Sequence, residues 1–447
     1  MIQDPTLWIG EVPEHWELLK GKELFVQVKR GLRDDDGTVT AFRDGVVTLR
    51  SNRRTTGFTE AVQFSGYQGV EPGDLVIHQM DGFAGAIGVS DSRGRCSPVC
   101  AVSVPRDTAN TYYYARVLRA MAVSGWIAAL AKGIRERSTD FRFSVFRDQM
   151  LPVPPEEEQA LIVRYLDHAE LRIAKAIAGK NEVLSKLREA KTAVVSELVL
   201  GDVEDRTDTG VPGFGSVPSH WRRRRAKYVW RAVDVRSTTG TEERLTVSSA
   251  RGIVPRSSTT VTMFEAASYI GHKVVEPGNL VINSLWSWAT GLGVSKHHGI
   301  VSPVYGVYTI IDDQCDVAYL DHLLRSNACQ WQFQVRSKGI WKSRLSLTDE
   351  AFLDMMLVLP PLEEQREIAH RIGERTSAID AAMDAVNAEI ALLKEYRTRL
   401  ISDVVTGKID IREEAAKLTD IDPAELARVL AGGTALVDEE EAADDNE

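Results

Sequence analysis

The segment Val70-Glu-Pro-Gly-Asp-Leu-Val-Ile77 indicates a repeated fold, because it returns almost unchanged as Val275-Glu-Pro-Gly-Asn-Leu-Val-Ile282. The same spacing of 205 residues relates Gly10-Glu-Val-Pro-Glu-His-Trp16 to Gly215-Ser-Val-Pro-Ser-His-Trp221. Further matches follow in the same order along both halves of the chain. A collinear series of this kind predicts two copies of one structural unit.

Each copy begins with a globular part of roughly 150 residues. Short β-branched and aromatic runs, separated by Gly, Pro, Asn and Asp, predict strands there. In the Glu-Pro-Gly turn, Pro presets φ and Gly supplies a positive φ, so that Leu-Val-Ile enters a buried strand. The segments Tyr112–Leu130 and Val317–Phe333 are predicted to be helices, which makes each globular part an α/β domain.

Each copy ends with a long helix that follows a double proline, Pro154-Pro155 or Pro360-Pro361. Apolar residues recur every seven positions, which predicts helices over 156–200 and 362–405 with a coiled-coil seam. The alternative is that each helix packs only on its own domain. The predicted seam consists of Leu166, Ile173, Leu187, Val194, Ile372, Ile379, Val386, Leu393 and Leu400.

The predicted fold class is α/β (α+β), with two similar globular domains joined by two long antiparallel coiled-coil helices. Equal repeats usually associate about a two-fold axis, and a pseudo-two-fold axis across the seam makes these helices antiparallel. The predicted boundaries are 1–150 for the first domain, 151–203 for the first helical spacer, 204–356 for the second domain, 357–412 for the second spacer and 413–447 for an acidic tail.

The formal net charge of −10, from 54 basic and 64 acidic residues, argues at first against a nucleic-acid partner. However, residues 413–447 hold twelve acids and two bases, so the body of the chain is neutral. We expect this tail to be disordered apart from a short helix ending near Leu430. Four cysteines without metal-ligand spacing, and neither a signal peptide nor a membrane span, lead us to expect a cytoplasmic protein.

Several motifs together resemble the specificity subunit of type I restriction–modification enzymes. They are Pro-x-His-Trp near the start of each copy, Glu-Pro-Gly-Asp/Asn-Leu-Val-Ile in the middle, Leu-Pro before each helix, and Leu400-Ile-Ser-Asp-Val-Val-Thr-Gly-Lys-Ile-Asp410 at the end. The resemblance covers residues 8–412, and the acidic extension departs from it. It implies that each globular part is a target-recognition domain that binds one half of a bipartite, asymmetric double-stranded DNA sequence.

The same resemblance implies that the helices dock two methyltransferase subunits, which restriction (translocase) subunits join. S-adenosylmethionine, ATP and Mg would then bind to those partners, and no cofactor or metal to this chain. A search for Walker, G-x-G-x-x-G, H-E-x-x-H and Asn-Pro-Pro-aromatic motifs finds none, so we expect the chain not to be an enzyme by itself. The alternatives are a coiled-coil scaffold or adaptor without a DNA role, and a fused single-chain nuclease–methyltransferase, which the missing motifs disfavour.

Polar residues in loops are the candidates for DNA contact, because Arg suits guanine or phosphate and Asn suits adenine. At a spacing of 198, Thr48-Leu-Arg-Ser-Asn-Arg53 aligns with Thr246-Val-Ser-Ser-Ala-Arg251, which would place seven extra residues in the second copy. A second set follows the Leu-Val-Ile strands and a third follows the Lys-Gly-Ile motifs. A solvated turn or strand end gives the same composition. The predicted DNA contacts are Arg50, Asn52, Arg53, Arg54, His78, Gln79, Arg135, Arg137, Ser248, Ser249, Arg251, Asn283, Ser284, Lys338, Lys342 and Arg344.

Overall fold

The structure is a computed structural model of the 447-residue chain. It describes residues 8–53, 64–107, 109–130, 141–201, 204–249, 251–258, 268–339, 345–422, 425–426 and 428–430. The chain divides into two compact units. Unit 1 consists of Met1–Ile177 and Ile390–Gly433, and unit 2 of Ala178–Glu389 and Thr434–Glu447.

The first repeat alternates short strands with helices, as the spacing of turn residues predicts. Its strands are β1 Glu17–Lys20, β2 Phe25–Gln27, β3 Val39–Ala41, β4 Val47–Leu49, β5 Gln68–Val70, β6 Leu75–His78, β7 Ile87–Val89, β8 Gly94–Cys96, β9 Cys100–Pro105 and β10 Met150–Val153. Its helices are α1 Gly21–Leu24, α2 Thr111–Val123, α3 Trp126–Leu130, α4 Phe143–Phe146 and α5 Glu156–Val199.

The second repeat follows the same plan and begins with a hairpin. Its strands are β11 Arg206–Asp208, β12 Ser216–Pro218, β13 Arg222–Arg225, β14 Trp230–Ala232, β15 Leu245–Ser248, β16 Gly252–Pro255, β17 Lys273–Val275, β18 Leu280–Ile282, β19 Leu292–Val294, β20 Gly299–Val301, β21 Gly306–Ile310 and β22 Met356–Leu359. Its helices are α6 Val317–Arg325, α7 Asn327–Arg336, α8 Asp349–Leu353 and α9 Leu362–Val405, and α10 Arg412–Ala415 follows them.

The sheets have the same strand order in both repeats. Four antiparallel strands in the order β2-β9-β6-β7 correspond to β14-β21-β18-β19. The pairs β3·β4, β5·β8 and β1·β10 correspond to β15·β16, β17·β20 and β13·β22. The prediction of two copies of one α/β domain is therefore confirmed.

The Leu-Val-Ile strands lie at the centre of each domain and are buried on both faces. Successive side chains of a strand point to opposite faces. Leu75 and Ile77 accordingly pack in a core with Tyr113, while Val76 joins a second cluster with Val39 on the other face. Leu280, Ile282 and Val281 repeat this arrangement in unit 2.

In the turn before these strands, Asp74 and Asn279 accept equivalent backbone hydrogen bonds. Gly73 and Gly278 both have φ near +89°, the left-handed conformation that glycine tolerates. A side-chain oxygen of Asp74 accepts the backbone N–H of Glu71 at 2.8 Å, and Asn279 accepts that of Glu276 at 2.9 Å. Either residue type supplies the acceptor that closes the turn.

The two long helices, α5 and α9, have 44 residues each and pair antiparallel, as predicted. In unit 2 the ion pairs advance along α5 while they recede along α9. They join Lys180 to Glu389, Lys191 to Asp380, and Glu197 to Arg375. All nine predicted seam residues are buried or half-buried, and Leu166, Ile173, Ile372 and Leu400 are the buried ones.

Each domain also receives the end of the long helix that belongs to the other repeat. In unit 1 the hydroxyl of Tyr113 donates to the carbonyl of Val405 at 3.0 Å. In unit 2 the hydroxyl of Tyr319 donates to the carbonyl of Val199, also at 3.0 Å. The carbonyls at a helix end lack intrahelical partners, so these buried tyrosines satisfy groups that would otherwise be unpaired.

The described part of the C-terminal segment lies against α5 in unit 1. Ala415 of α10 is fully buried in the core of that unit. Farther along, Asp420 pairs with Arg164 at 2.7 Å, and Glu425 pairs with Lys175 at 3.1 Å. Residues 431–447 lie outside the described residues, so the expectation of disorder there stays a prediction.

Candidate nucleic-acid interface

The loops that follow β6 and β18 have the same backbone at a spacing of 205 residues. Each passes through a 3-10 turn, Gly82–Ala84 or Ser287–Ala289, before the next strand of the sheet. Each turn ends in a left-handed residue, Gly85 with φ of +91° and Thr290 with φ of +62°. We call these segments, residues 78–85 and 283–290, the β6 loop and the β18 loop. They present different side chains on one framework.

His78 opens the β6 loop as a neutral hydrogen-bond donor. The pKa of this half-buried imidazole is lowered, mainly because burial disfavours the charged form. The carboxylate of Asp81 opposes this effect, and Arg43 lowers the pKa further. With the ring neutral, Nδ1 accepts the backbone N–H of Asp81 at 3.1 Å. Nδ1 also lies 3.2 Å from a carboxylate oxygen of Asp81, so the ring is held in the loop through Nδ1, and Nε2 is the nitrogen that could contact a base edge.

The backbone of Gln79 is held on both sides, which leaves its side chain as the variable part. Its N–H donates to the carbonyl of Val99 at 2.9 Å, and its carbonyl accepts from Phe141 at 3.0 Å. The side chain is half-buried. Arg43, whose guanidinium is exposed, pairs with Asp81 at 3.1 Å at the same loop. The loop therefore combines a neutral donor, an amide and a cation.

The residue that corresponds to His78 in unit 2 has a structural role. Asn283 is 8 % exposed, and its amide group donates to the hydroxyl of Tyr305 at 3.1 Å. Its side-chain oxygen accepts the backbone N–H of Leu285 at 3.1 Å. Both ends of the side chain are thus occupied within the domain. The hydroxyl of Ser284 donates to the carbonyl of Val304 at 3.1 Å.

The β18 loop also carries two tryptophans that the sequence analysis did not single out. Trp286 and Trp288 stack with ring centroids 5.5 Å apart and planes at 29°, and both are half-buried. They stand where the β6 loop has Asp81 and Phe83. Their spacing of two residues beside a predicted contact was the available signal. An indole pair offers an apolar face where unit 1 offers charge.

The cluster around Arg50 is engaged within its own domain. The Nε of Arg50 donates to the hydroxyl of Thr40 at 3.3 Å, and the side-chain amide of Asn52 donates to the hydroxyl of Thr48 at 2.8 Å. Arg53 pairs with Asp44 and lies 4.7 Å from the ring centre of Phe42. Only 17 % of the Arg53 side chain is exposed. Arg54 lies outside the described residues.

The structure corrects the alignment used for this cluster. The backbone N–H of Arg50 donates to the carbonyl of Thr38 at 2.7 Å, and that of Arg256 donates to the carbonyl of Arg244 at 2.7 Å. Arg256 is thus the counterpart of Arg50, at a spacing of 206. The predicted spacing of 198, with seven extra residues in the second copy, is wrong. It matched the second strand of one hairpin, β4, to the first strand of the other, β15.

Ser248, Ser249 and Arg251 consequently lie at the turn between β15 and β16. The hydroxyl of Ser248 accepts the backbone N–H of Arg251 at 3.2 Å, and the carbonyl of Ser249 accepts from Arg325 at 2.8 Å. Arg251 and Ser249 are exposed. Their role in DNA contact stays a prediction that rests on exposure and charge, since the alignment no longer supports it.

The third predicted set follows the Lys-Gly-Ile motifs, and Lys338 is its one member among the described residues. Lys338 is exposed, and its backbone pairs in both directions with Ser346 at 2.9 Å. Arg135, Arg137, Lys342 and Arg344 lie outside the described residues. Within the ranges that the structure covers, no group of three or more His, Cys, Asp or Glu side chains could hold a metal ion. Nor is any helix in those ranges both long and apolar enough to span a bilayer.

No protein-family model matches the chain. Two similar solved chains have low TM-scores. The HsdS subunit from Thermoanaerobacter tengcongensis has a TM-score of 0.38 and 15 % identity, over 89 % of this chain and 98 % of that one. The type I restriction–modification S subunit from M. genitalium has a TM-score of 0.35 and 12 % identity, over 88 % of this chain and 96 % of that one. A third, from a structure on the complex assembly and conformational transition of the type I R-M system, has a TM-score of 0.56 and 15 % identity over 89 % of this chain and 100 % of that one. The chain therefore has the fold of a component of a type I restriction–modification system.

Proposed function

We propose that the chain is the DNA sequence-specificity subunit of a type I restriction–modification complex. In this proposal each unit contacts one half of a bipartite, asymmetric target. The observation that carries it is the pair of loops after β6 and β18, which share one backbone but differ in side chains. Two recognition domains that kept their framework and changed these loops would bind different half-sites.

Base recognition in unit 1 would come from the β6 loop. A neutral His78 can donate from Nε2 to an acceptor on a base edge in the major groove, such as O6 or N7 of guanine. Gln79 has the amide geometry that suits adenine. Arg43 adds a cation for phosphate, a contact that needs only charge and reach.

Recognition in unit 2 would rely on different chemistry. Because Asn283 is occupied by Tyr305 and Leu285, the tryptophan pair is the part of the β18 loop that differs most from unit 1. An apolar face of this kind suits the methyl group of thymine. Exposed cations such as Arg251 and Lys338 would position the phosphates.

The long helices would act as the spacer and as the docking surface for two methyltransferase subunits, which restriction subunits join. Adenine methylation and cleavage would be carried out by those partners, with S-adenosylmethionine, ATP and Mg bound to them. The proposal places the complex in the cytoplasm. The antiparallel ion pairs between α5 and α9 support the role of a rigid spacer.

The experiment is to map methylated adenines in the native host with and without the gene, and to isolate the tagged full-length chain. We expect a bipartite methylated motif that disappears with the gene, and a methyltransferase that co-purifies. DNA binding by the complex should weaken steeply as salt rises, because phosphate contacts release counterions. Unchanged methylation together with no co-purified methyltransferase would favour the scaffold alternative and refute the proposal.

A further inference from the structure

One surface of unit 2 has far more positive charge than its fold requires. Four consecutive arginines, Arg222–Arg225, form β13, and Lys227, Tyr228 and Arg231 follow. Tyr228 is 54 % exposed, with the Lys227 ammonium 5.4 Å and the Arg224 guanidinium 5.8 Å from its ring centre. We call residues 222–225, 227, 228 and 231 the basic strand surface.

Few carboxylates neutralise this surface. Arg224 pairs with Asp312 at 2.8 Å, and Arg225 pairs with Asp354. Within the described part of the chain, no ion pair joins Arg222, Arg223 or Lys227 to an acid, and all three side chains are exposed. The surface therefore keeps an excess of positive charge toward solvent.

Unit 1 demonstrates that strand pairing does not need these arginines. The pair β1·β10 has the same register as β13·β22, so that Glu17 stands opposite Val153 as Arg222 stands opposite Leu359. The strand β1 reads Glu-Leu-Leu-Lys. Side chains alternate between the two faces of a strand, so Arg222 and Arg224 share one face of β13 and Arg223 and Arg225 the other. Each face thus carries two like charges, which points to a partner of opposite charge.

The basic strand surface lies away from the β18 loop. Both β14 and β18 are antiparallel to β21, so they run parallel to each other in the sheet. The basic strand surface comes just before β14 and therefore lies at the start of β18, whereas the β18 loop follows its end. DNA held at that loop does not by itself account for charge at the opposite end of the sheet.

The chain contains an acidic segment suited to this surface. Residues 431–447 carry seven acids and no base. The part of the extension that precedes them docks through the same chemistry, since Asp420 pairs with Arg164 and Glu425 with Lys175. We propose that the acidic segment 431–447 binds the basic strand surface, where its carboxylates pair with Arg222, Arg223 and Lys227. The bound segment shields these cations from the phosphates of unrelated DNA.

Zero-length carbodiimide coupling of the full-length chain tests the contact, because it joins carboxylates to amines and Lys227 is the amine of this surface. We expect mapped cross-links from Lys227 to acids within 438–447, lost at 1 M salt because ion pairs are screened. The double variant Arg222→Ser/Arg223→Ser should lower the yield several-fold. Lys338, an exposed lysine that does not belong to the basic strand surface, is the control. Equal coupling to Lys338, or none to Lys227, would overturn the proposal.

Binding of an unrelated duplex gives a second measurement that distinguishes the tail from DNA as the occupant. Removal of residues 431–447 should raise affinity for that duplex several-fold at low salt, and only while Arg222 and Arg223 are present. If the double variant instead weakens duplex binding equally with and without the segment, the surface holds phosphates and not the tail. This readout does not depend on the sequence-specificity function, which adenine mapping tests separately.

Discussion

The side-chain oxygen of Gln365 accepts a hydrogen bond from the backbone N–H of Asp316 at 2.7 Å. Its amide nitrogen donates to the carbonyls of Pro360 at 2.9 Å and Gln314 at 3.0 Å, and the residue is 1 % exposed. Asp316 is also the N-cap of α6, where its carboxylate accepts the N–H of Tyr319. One buried amide thus joins the start of a domain helix to the start of α9.

Unit 1 repeats this junction, which explains why Glu158-Gln159 and Glu364-Gln365 both lie near the start of a long helix. Gln159 accepts the N–H of Asn110, the N-cap of α2, at 2.9 Å. The preceding glutamate binds the histidine of Pro-x-His-Trp, with distances of 2.9 Å for Glu158 to His15 and 2.7 Å for Glu364 to His220. The repeated motifs therefore orient each domain on the start of its long helix.

Gln365→Ala should destabilise unit 2. It removes three hydrogen bonds and leaves the N–H of Asp316 buried without its acceptor, at a cost of about 1–3 kcal/mol for the unsatisfied group. We expect a lower melting temperature and faster amide exchange at the start of α6. Gln159→Ala is the matched control and should have the same effect on α2. Faster exchange spread equally over both units would contradict a local junction.

Stability should fall in alkali because of the tyrosines that bind the helix ends. Burial raises the pKa of Tyr319 well above 10.0, and it does the same for Tyr113. The unfolded chain releases these protons first, so their contribution is intact below pH 10 and is lost as pH rises above it. Tyr319→Phe should cost about 1 kcal/mol at pH 8 through the lost hydrogen bond and should flatten this decline. Denaturant titrations at pH 8 and pH 11 measure both; an unchanged decline would refute the assignment.

The repeats and the helices were predictable from sequence because both depend on local and periodic signals. The predicted helices 156–200 and 362–405 match α5 and α9 within one residue. Double prolines set their starts, and Gly201 and Gly407, both with positive φ, follow their ends. Side-chain period and turn chemistry suffice for features of this kind.

The contacts of polar side chains were not predictable, because they depend on residues far apart in sequence. Asn283 resembles a free loop residue until Tyr305 is placed beside it. Arg53 resembles a DNA contact until the hairpin brings Asp44 and Phe42 to it. The false spacing of 198 had a related cause, since two strands of one hairpin have similar local composition.

Arg53 is part of a side-chain cluster within its own domain, so Arg53→Ala should affect stability. Because Arg53 pairs with Asp44 and covers Phe42, the variant should destabilise the hairpin β3·β4. Asp44→Asn should reproduce part of that loss, and the double variant should cost less than the sum of the single ones. Urea unfolding of the four proteins gives the coupling energy. If Arg53→Ala lowers DNA binding while stability and coupling are unchanged, Arg53 contacts DNA instead.

His78 and Asn283 occupy equivalent positions and should respond differently to alanine. His78→Ala removes the side chain that the proposal assigns to DNA, together with one half-buried hydrogen bond from the backbone N–H of Asp81, so we expect weaker binding to the specific DNA target and a smaller loss of stability than in Asn283→Ala. Asn283→Ala removes a hydrogen bond to the hydroxyl of Tyr305 and leaves the N–H of Leu285 without its acceptor, at a cost of about 1–3 kcal/mol. Thermal unfolding and duplex titrations of both variants measure the contrast. The reverse pattern would refute the roles assigned to the two residues.

Exchange of the two loops tests whether they determine specificity. The exchanged segments should be 78–84 and 283–289, which are equal in length and share the 3-10 turn. Gly85 must stay, because a Cβ there would lie 2.8 Å from the carbonyl oxygen of Arg43. Thr290 stays with its own unit, which keeps both left-handed residues in place.

The protein with His78–Ala84 replaced by the residues of 283–289 should fold, since the strands on either side keep their partners. We expect adenine mapping in the host to show a changed first half-site and an unchanged second one. The reciprocal exchange should change the second half-site alone. A matched control exchanges the turns Glu71–Asp74 and Glu276–Asn279, which differ only in the final residue. It should cost unit 1 the ion pair between Asp74 and Arg30 but leave both half-sites as they were. Retention of the original motif by both loop chimaeras, with methylation intact, would place base recognition elsewhere in the two domains.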